Sequence, residues 1–193
     1  MKSLTEYLNE AVLFKLNGTN KFHDKVDIFD TLVPIKGEDN KYHVENKDEL
    51  VLIINDKLRN NPKSLDLTDV DVSKLTSLEN IGYGGGGYGT TKTLFKKLEE
   101  VDITGWDTSN VTNMKGFFAF CKLKTIKGIE DIDVSNVTDI SWMLSDAHTD
   151  IDLSNLKFKK LKGNIYQSFA DPHNKWDKNK LPKGISDLPL YSS

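Results

Sequence analysis

The sequence predicts an α+β repeat protein, a short solenoid whose coils each hold a strand, a turn and a short helix, with an N-terminal helical cap. An octapeptide of the pattern Asp-x-Ser-x-aliphatic-Thr-x-aliphatic occupies residues 107–114 and returns at residues 133–140. A weaker copy lies at residues 71–78. Repetition at such a period is typical of stacked supersecondary units. A helical pattern directly before the first copy predicts the cap.

Alignment of the copies on their Asp-x-Ser phase extends the repeat beyond the octapeptide. The copies begin at Asp71, Asp107 and Asp133, and the next equivalent position is Lys157, so the later intervals are shorter than the first. Two flanking positions are apolar in every copy: Leu67, Ile103, Ile129 and Leu153 at the first, and Val70, Trp106, Ile132 and Leu156 at the second. We expect a strand before each turn and a helical piece after it, with neighbouring copies burying one another's apolar residues.

The polar residues of the octapeptide are predicted to form turns. Asp, Ser, Asn and Thr side chains bond backbone amides two or three residues on, and they therefore set turns at fixed points of each copy. A calcium site is the alternative for the repeated aspartates. The sequence lacks the Gly-Gly-x-Gly-x-Asp signature of calcium ladders, and one aspartate per copy makes a poor oxygen cage. The pattern therefore favours turns over a metal site.

The chain divides into four predicted parts. Residues 1–12 form an amphipathic leader helix, and residues 13–62 hold N-terminal strands and the capping helix. Residues 63–170 form the repeat region, and residues 171–193 form an irregular, proline-containing C-terminal cap or tail. Turn dipeptides and prolines mark the boundaries between these parts.

The capping helix has clear start and stop signals. Asn46 followed by Glu49 has the spacing of an N-terminal cap, and Asn61-Pro62 ends the pattern. Between them, apolar residues recur at helical spacing: Leu50, Ile53, Ile54 and Leu58. Ahead of this helix, apolar runs at residues 11–16 and 25–33 predict a small antiparallel strand pair.

The leader helix presents one apolar face. Ser3 and Glu6 form a capping box, while Leu4, Tyr7 and Leu8 fall on one side at helical spacing. Twelve residues are too few for a stable isolated helix, so this face needs a surface to dock on. The surface is either the chain's own domain or a partner. On the second interpretation Leu4, Tyr7 and Leu8 are partner-binding residues.

Composition narrows the class of function. The 193 residues are 37% hydrophobic and 28% charged, which suits one water-exposed domain, and the net charge of −3 argues against binding nucleic acid. No apolar run approaches the roughly 20 residues that span a bilayer, and the N-terminus lacks a secretory signal. The single cysteine, Cys121, allows no internal disulfide. We therefore expect no nucleic-acid or membrane partner, and the single cysteine fits a reducing compartment or a virion interior.

The glycine-rich segment at residues 82–89 invites comparison with a phosphate-binding loop. The required Gly-Lys-(Ser/Thr) sequence is absent, because Thr90 and Thr91 precede Lys92. Ordering so many glycines costs considerable entropy, which favours a flexible loop. Tyr83 and Tyr88 make a contact loop the alternative, and both are candidate partner-binding residues.

No catalytic constellation emerges from the sequence. The four histidines, His23, His43, His148 and His173, are scattered without the paired spacing of a metal site. Serine, histidine and aspartate residues occur without a recognisable catalytic context. We therefore predict no enzyme activity, no catalytic or metal-ligating residues and no cofactor.

The repeat region resembles the BspA-like leucine-rich repeat family. The resemblance is carried by Trp106 and the octapeptide at residues 107–114, followed by Phe118 and Cys121, and it covers about residues 41–170. It weakens after residue 150, where Lys157 replaces the aspartate. The resemblance implies a leucine-rich-repeat-like fold, a buried Cys121 and a role in binding other proteins.

The first ten residues resemble the capsid-targeting leader of internal head proteins in T4-like phages. The shared pattern is Met-Lys-x-apolar-x-Glu-aromatic-aliphatic-x-Glu, which residues 1–10 follow. The resemblance implies docking on the assembling head and cleavage by a prohead protease between Glu10 and Ala11.

Together these observations predict a non-enzymatic protein–protein interaction module. The specific form is a bacteriophage virion-associated structural or cargo protein, targeted to the head or bound to the capsid, with capsid or other virion proteins as partners. The alternatives are a phage-encoded intracellular effector that binds a host or defence protein, and an exterior receptor-binding, adhesin-like protein.

Overall fold

The computed structural model describes residues 14–16, 32–82, 95–146, 151–161, 165, 168–169 and 176–185. The strands are β1 (Phe14–Leu16), β2 (Leu32–Pro34), β3 (Tyr42–His43), β4 (Ser64–Asp66), β5 (Val70–Asp71), β6 (Glu100–Asp102) and β7 (Thr125–Lys127). Helix α1 spans Lys47–Asn60, and a short 3₁₀ helix spans Lys178–Lys180.

The predicted fold class, an α+β leucine-rich-repeat-like solenoid with an N-terminal helical cap, is wrong. The described residues form a small mixed α/β domain with one 14-residue α-helix and short, mostly parallel sheets. Each strand is two or three residues long. Among the described residues, no helix follows the Asp-x-Ser turns at residues 107–109 and 133–135. The apolar side chains of helix α1 belong to the one core of the domain and pack against β2 and β4.

Left-handed backbone conformations explain why the segments after the turns are not helical. In the first full copy, Gly116, Phe118 and Phe120 have φ values of 63°, 51° and 59°. In the next copy, Trp142 has a φ of 64°. Residues in this region break the right-handed helical hydrogen-bond pattern. The apolar side chains are buried by a series of tight turns, and their spacing mimics that of a helix.

A three-stranded parallel sheet joins successive copies in the order β4–β6–β7. Leu65 lies beside Val101, which lies beside Ile126, and all three side chains are buried. Two isolated parallel bridges join equivalent residues of the octapeptide copies: Ser77 with Asn113, and Asn113 with Asp139. The internal repetition is therefore expressed as parallel register between equivalent positions.

Helix α1 has the start and stop that the sequence predicts. The Asn46 side chain accepts the Glu49 N–H at 3.1 Å, and the Glu49 carboxylate accepts the Glu45 N–H at 2.8 Å. These bonds satisfy amides that the first helical turn leaves without partners. The helix ends where the N–H of Asn61 donates to the carbonyl of Lys57. Its predicted apolar stripe is buried against β2 and β4: Leu50, Ile53, Ile54 and Leu58.

Two small sheets lie before the repeats. β1 and β2 pair antiparallel, which confirms the pair predicted from the two early apolar runs for residues 14–16 and 32–34. β3 pairs parallel with β5, placing Tyr42 beside Val70 and His43 beside Asp71. β3 therefore closes one side of the first Asp-x-Ser turn.

One apolar core runs through the described domain, from α1 to the segment at residues 176–185. Its largest fully buried side chains include Phe117, Phe118 and Phe169. Two aromatic rings extend this core near the C-terminal end. The Phe169 ring lies edge-on to Trp176 with centroids 5.6 Å apart. In the part of the chain that the structure describes, no helix combines the length and apolar character needed to cross a membrane.

Candidate interaction groove

Aspartate side chains build the same tight turn in successive copies. An Oδ1 atom of Asp71, Asp107 and Asp133 accepts the backbone N–H two residues on, at 3.0, 3.0 and 2.8 Å. Hydrogen bonds from the hydroxyl and N–H of Ser109 hold the pKa of Asp107 below its usual value. The prediction that these aspartates set turns is confirmed.

Side chains also tie each copy to the one before it. The Asn110 amide donates to the carbonyl of Ser73 at 2.8 Å, and the Asn136 amide donates to the carbonyl of Ser109 at 2.7 Å. Threonine hydroxyls of the same copies donate to carbonyls of the preceding copy in the same way. These bonds satisfy carbonyls at the turns and fix the register between neighbouring copies.

A second series of aspartate turns follows the strands, and it is broken once. The regular bonds join Asp66 to the N–H of Thr68, Asp102 to that of Thr104 and Asp152 to that of Ser154. At the end of β7, Lys127 replaces the aspartate. A longer turn follows in which the N–H of Asp131 donates to the carbonyl of Gly128 at 3.2 Å. Four residues separate Lys127 from the buried Ile132, whereas three residues separate the aspartate from the equivalent buried residue in the other copies.

Gly128 presses the long turn against the preceding copy. Its φ is 79°, and a Cβ built on it would lie 2.6 Å from Cα and 2.7 Å from N of Thr104. A side chain at this position would collide with backbone, and the backbone conformation itself disfavours one. The glycine therefore permits a close approach between the two turns.

A groove separates β7 from the next copy. Within the described chain, no backbone hydrogen bond joins residues 124–130 to residues 151–155. Leu153 donates its N–H to the carbonyl of Lys180 at 2.7 Å, away from β7, as Leu67 and Ile103 donate theirs to the segment that follows. The space between β7 and residues 151–155 is about 570 Å³. We call it the β7 groove.

The β7 groove has an apolar base and a charged rim. Its base is formed by Ile126, Ile129 and Ile151, which are largely buried, and its rim includes Glu130 and Asp152. The remaining lining residues are Lys124, Thr125 and Asn155. The groove therefore combines apolar contact with groups that select by charge and hydrogen bonding, as binding sites do.

Ion pairs connect the N-terminal ends of β4, β6 and β7 beside the groove. Glu99 accepts from Lys124 at 2.7 Å and pairs with Lys63 at 2.9 Å. Hydrogen bonds from these two ammonium groups lower the pKa of Glu99 to about 2. Lys124 is thus held by Glu99, whereas Glu130 has no ion-pair partner among the described residues.

The opposite side of the repeat region is closed by a histidine between two carboxylates. His43 Nε2 lies 2.9 Å from Asp39 Oδ1, and His43 Nδ1 lies 2.9 Å from Asp71 Oδ2. Both contacts are satisfied only when both ring nitrogens carry hydrogen, so the protonated ring fits this site. Hydrogen bonds to Asp39 and Asp71 raise the pKa of His43.

A buried contact holds the start of the glycine-rich segment. The Cys121 thiol donates to the carbonyl of Gly82 at 2.7 Å, and a Cβ on Gly82 would lie 2.0 Å from Cδ1 of Phe118. The implied burial of Cys121 is confirmed. Cys121 therefore contacts the backbone of Gly82, with the Phe118 ring packed beside it.

A metal site is absent from the described residues. Within them, no group of three or more histidine, cysteine, aspartate or glutamate side chains is arranged to hold a metal ion. The aspartates of the turns accept backbone N–H groups, so one oxygen of each is already used. These aspartates act on the backbone of their own copies.

The predicted site residues lie outside the described chain. This applies to the leader residues Leu4, Tyr7 and Leu8, to the loop residues Tyr83 and Tyr88, and to the cleavage pair Glu10 and Ala11. Their roles remain predictions. Sequence reasoning missed Ile129 and Glu130 as groove residues. The available signal was the one extra residue between β7 and Ile132, which alignment on the Asp-x-Ser phase alone conceals.

Residues 90–184 match the family described as "Mycoplasma protein of unknown function, DUF285", a BspA-like family. The matched segment contains β6, β7 and every residue that lines the β7 groove. The BspA-like resemblance is thereby confirmed for this part of the chain, and the match does not reach residues 1–10. Comparisons with curated proteins and with solved structures gave no match.

Proposed function

We propose that this protein is a non-enzymatic protein-interaction module that binds a partner through the β7 groove. The observation that carries this proposal is the missing backbone pairing between β7 and residues 151–155. Neighbouring copies elsewhere are joined by backbone hydrogen bonds, so the groove is a break in an otherwise regular pattern. The protein binding implied by the BspA-like resemblance agrees with this assignment.

The size and lining of the groove support binding. A volume of about 570 Å³ lies within the range of roughly 300–1,000 Å³ that is typical of ligand sites. The almost wholly buried isoleucine side chains form an apolar floor, while the carboxylates at the rim supply orientation and specificity. Binding through such a groove requires no chemical reaction of the partner.

Site-specific photocrosslinking in the native host tests the proposal. A benzophenone amino acid placed at the exposed Thr125 is expected to form a crosslink to one protein in preference to others. The same group placed at Glu38, which is exposed in the turn before β3, serves as the matched control. Equal labelling from both positions, or no protein adduct from position 125, would reject the groove as the interaction surface.

We further propose that the partner belongs to a phage virion and that the protein is head-targeted or capsid-bound. The observation that favours this is the leader-like pattern at residues 1–10. Mass spectrometry of purified particles is expected to find the protein, with Ala11 as its first residue if the leader is processed. Unchanged incorporation after deletion of residues 1–10 would reject head targeting.

The effector and adhesin alternatives give different results in the same preparation. Absence from particles together with a stoichiometric host partner would assign the protein to host-cell binding. Trimeric assembly with accessibility to antibodies on intact particles would assign it to the particle exterior.

A further inference from the structure

We infer that the β7 groove accepts an extended segment of a partner polypeptide, which pairs with the free edge of β7 and places a basic side chain beside Glu130. This inference rests on the proposed function and specifies the partner. Strand addition to an exposed sheet edge draws its affinity from main-chain hydrogen bonds and its specificity from alternate side chains.

The backbone of β7 supplies the pairing groups. Ile103 of the neighbouring strand segment donates its N–H to the carbonyl of Lys127 at 3.0 Å, so Lys127 faces β6. Backbone groups of successive strand residues point to opposite edges, which directs those of Ile126 towards the groove. Among the described residues, Ile126 has no backbone bond to residues 151–155. An added strand would bond the N–H and C=O groups of Ile126. At the equivalent positions of earlier copies, the next strand of the same chain bonds these groups.

The lining matches a segment with alternating side chains. Ile126, Ile129 and Ile151 form an apolar base, while the exposed Glu130 lies at the rim. Successive residues of an extended chain point to opposite sides, so one set meets the apolar base and the other meets the rim. An alternating aliphatic and polar segment is therefore the sequence class that fits.

Charge complementarity predicts that the polar side chains of the partner segment are basic. Lys124 is paired with Glu99, so its positive charge is already compensated. Asp152 accepts the Ser154 N–H at 2.9 Å, and nearby Lys180 helps to lower its pKa. Neither rim carboxylate forms an ion pair in the described chain, but Asp152 already accepts a backbone N–H, which leaves Glu130 as the rim carboxylate that the described chain does not use. A lysine or arginine on the partner supplies that missing charge.

The geometry disfavours a second copy of this chain as the occupant. β7 is only three residues long, which is a short edge for sheet-to-sheet pairing between copies. A symmetric pairing of two β7 edges would also bring the same carboxylate of each copy to one interface, where like charges repel. A short extended segment avoids both problems.

The experiment uses the full chain and two acetylated, amidated hexapeptides, Thr-Lys-Val-Lys-Val-Thr and its twin with glutamate in place of lysine. Isotope-edited NMR titration is expected to show that the lysine peptide binds at least about tenfold more tightly, with amide shifts concentrated at Ile126, Gly128 and Asp152. Glu130→Lys is expected to weaken the lysine peptide about tenfold or more. Glu38→Lys, an equal charge change at another exposed glutamate, is expected to leave it unchanged.

A third peptide tests the strand itself. N-methylation of alternate amides in the lysine peptide removes donors without changing charge, and it is expected to abolish binding. A library with Val, Ile or Thr at alternate positions and Lys, Glu or Gln between them extends the test beyond one sequence, and enrichment of lysine is expected.

Four results would overturn the inference: equal binding of the lysine and glutamate peptides, retained binding after N-methylation, no enrichment of any library member, or self-association through the groove. Each can occur while photocrosslinking from position 125 still captures a partner. In that case the interaction function stands and the extended basic segment is wrong. Failure of both experiments would reject the proposed function as well.

Discussion

Two neighbouring steps of the same repeated sequence behave differently. Between β6 and β7, parallel pairing, an ion pair from Glu99 to Lys124 and a close contact at Gly128 join the copies. Between β7 and residues 151–155, the structure describes no backbone pairing and a groove of about 570 Å³. The difference follows one replacement, Lys127 for aspartate, and one additional residue in the following turn.

A local sequence change in this repetitive protein coincides with an open surface. An aspartate turn leads each regular strand into the next element after three residues. The longer turn at residues 128–131 places a glycine against the preceding copy, and the regular pattern resumes at the Asp133 turn. The proposed binding surface therefore lies where the repetition fails, beside copies that pair regularly.

The largest expected effect comes from substituting the glycine that positions the long turn. Gly128→Ala should destabilise the protein by about 3 kcal/mol, because it adds backbone collision to a left-handed conformation. Gly105→Ala is the matched control, since Gly105 has a similar φ of 85° and open space around it, and it should cost about 1 kcal/mol. Chemical denaturation measures both values. Equal losses would show that the close contact with Thr104 is unimportant.

Restoring the regular turn should close the groove. Replacing residues 127–131 with Asp-Ile-Thr-Gly, the sequence of residues 102–105, removes one residue and returns the aspartate. Two regained backbone hydrogen bonds should stabilise the protein by about 1–2 kcal/mol and eliminate binding of the lysine peptide. Denaturation and NMR titration measure the two effects. Peptide binding that survives the replacement would disconnect the groove from the long turn.

A smaller loss of stability is expected from a substitution in one of the regular aspartate turns. Asp107→Ala removes the acceptor for the Ser109 N–H and should cost about 1 kcal/mol. Asp107→Asn keeps an acceptor and removes repulsion from Asp71 and Asp133, so it should cost much less. Thermal denaturation of both variants checks the difference. An asparagine variant as unstable as the alanine variant would contradict a turn-setting role for the side-chain oxygen.

The smallest expected effect is the pH dependence of the stabilisation by His43, on the opposite side of the repeats. Because Asp39 and Asp71 raise the pKa of His43, its stabilising contribution is present below the unfolded pKa and lost as pH rises through the folded pKa. His43→Gln should therefore destabilise the protein by less than about 1 kcal/mol near pH 6, with the difference disappearing by about pH 9. Melting curves across this range measure it. A difference that grows with pH would contradict the protonated bridge.

Sequence reasoning predicted local signals well and assembled them wrongly. The cap at Asn46 and Glu49 and the turns at Asp107 and Asp133 were correct, because each depends on side-chain bonds to nearby backbone. The helices expected after the turns were wrong. Phe118 and Trp142 adopt positive φ values that apolar spacing does not reveal, because burial by turns and burial by a helix select similar residues.

The candidate site was harder to predict than the turns. Glu130 and Ile129 carry no motif, and their importance depends on which neighbouring copy they fail to pair with. Such a break becomes visible only when residues 124–130 and 151–155 are placed side by side. The residues proposed from motifs, such as Tyr7 and Tyr83, remain predictions because they lie outside the described chain.

The sequence by itself determined the repetition, the limits of helix α1 and the aspartate turns, since these depend on interactions within a few residues. Tertiary structure alone decided the fold class and the β7 groove. Parallel pairing joins segments about 25 to 36 residues apart, and a one-residue change in a turn alters that pairing without leaving a local motif. The groove exists because long-range pairing depends on the geometry of both partners at once.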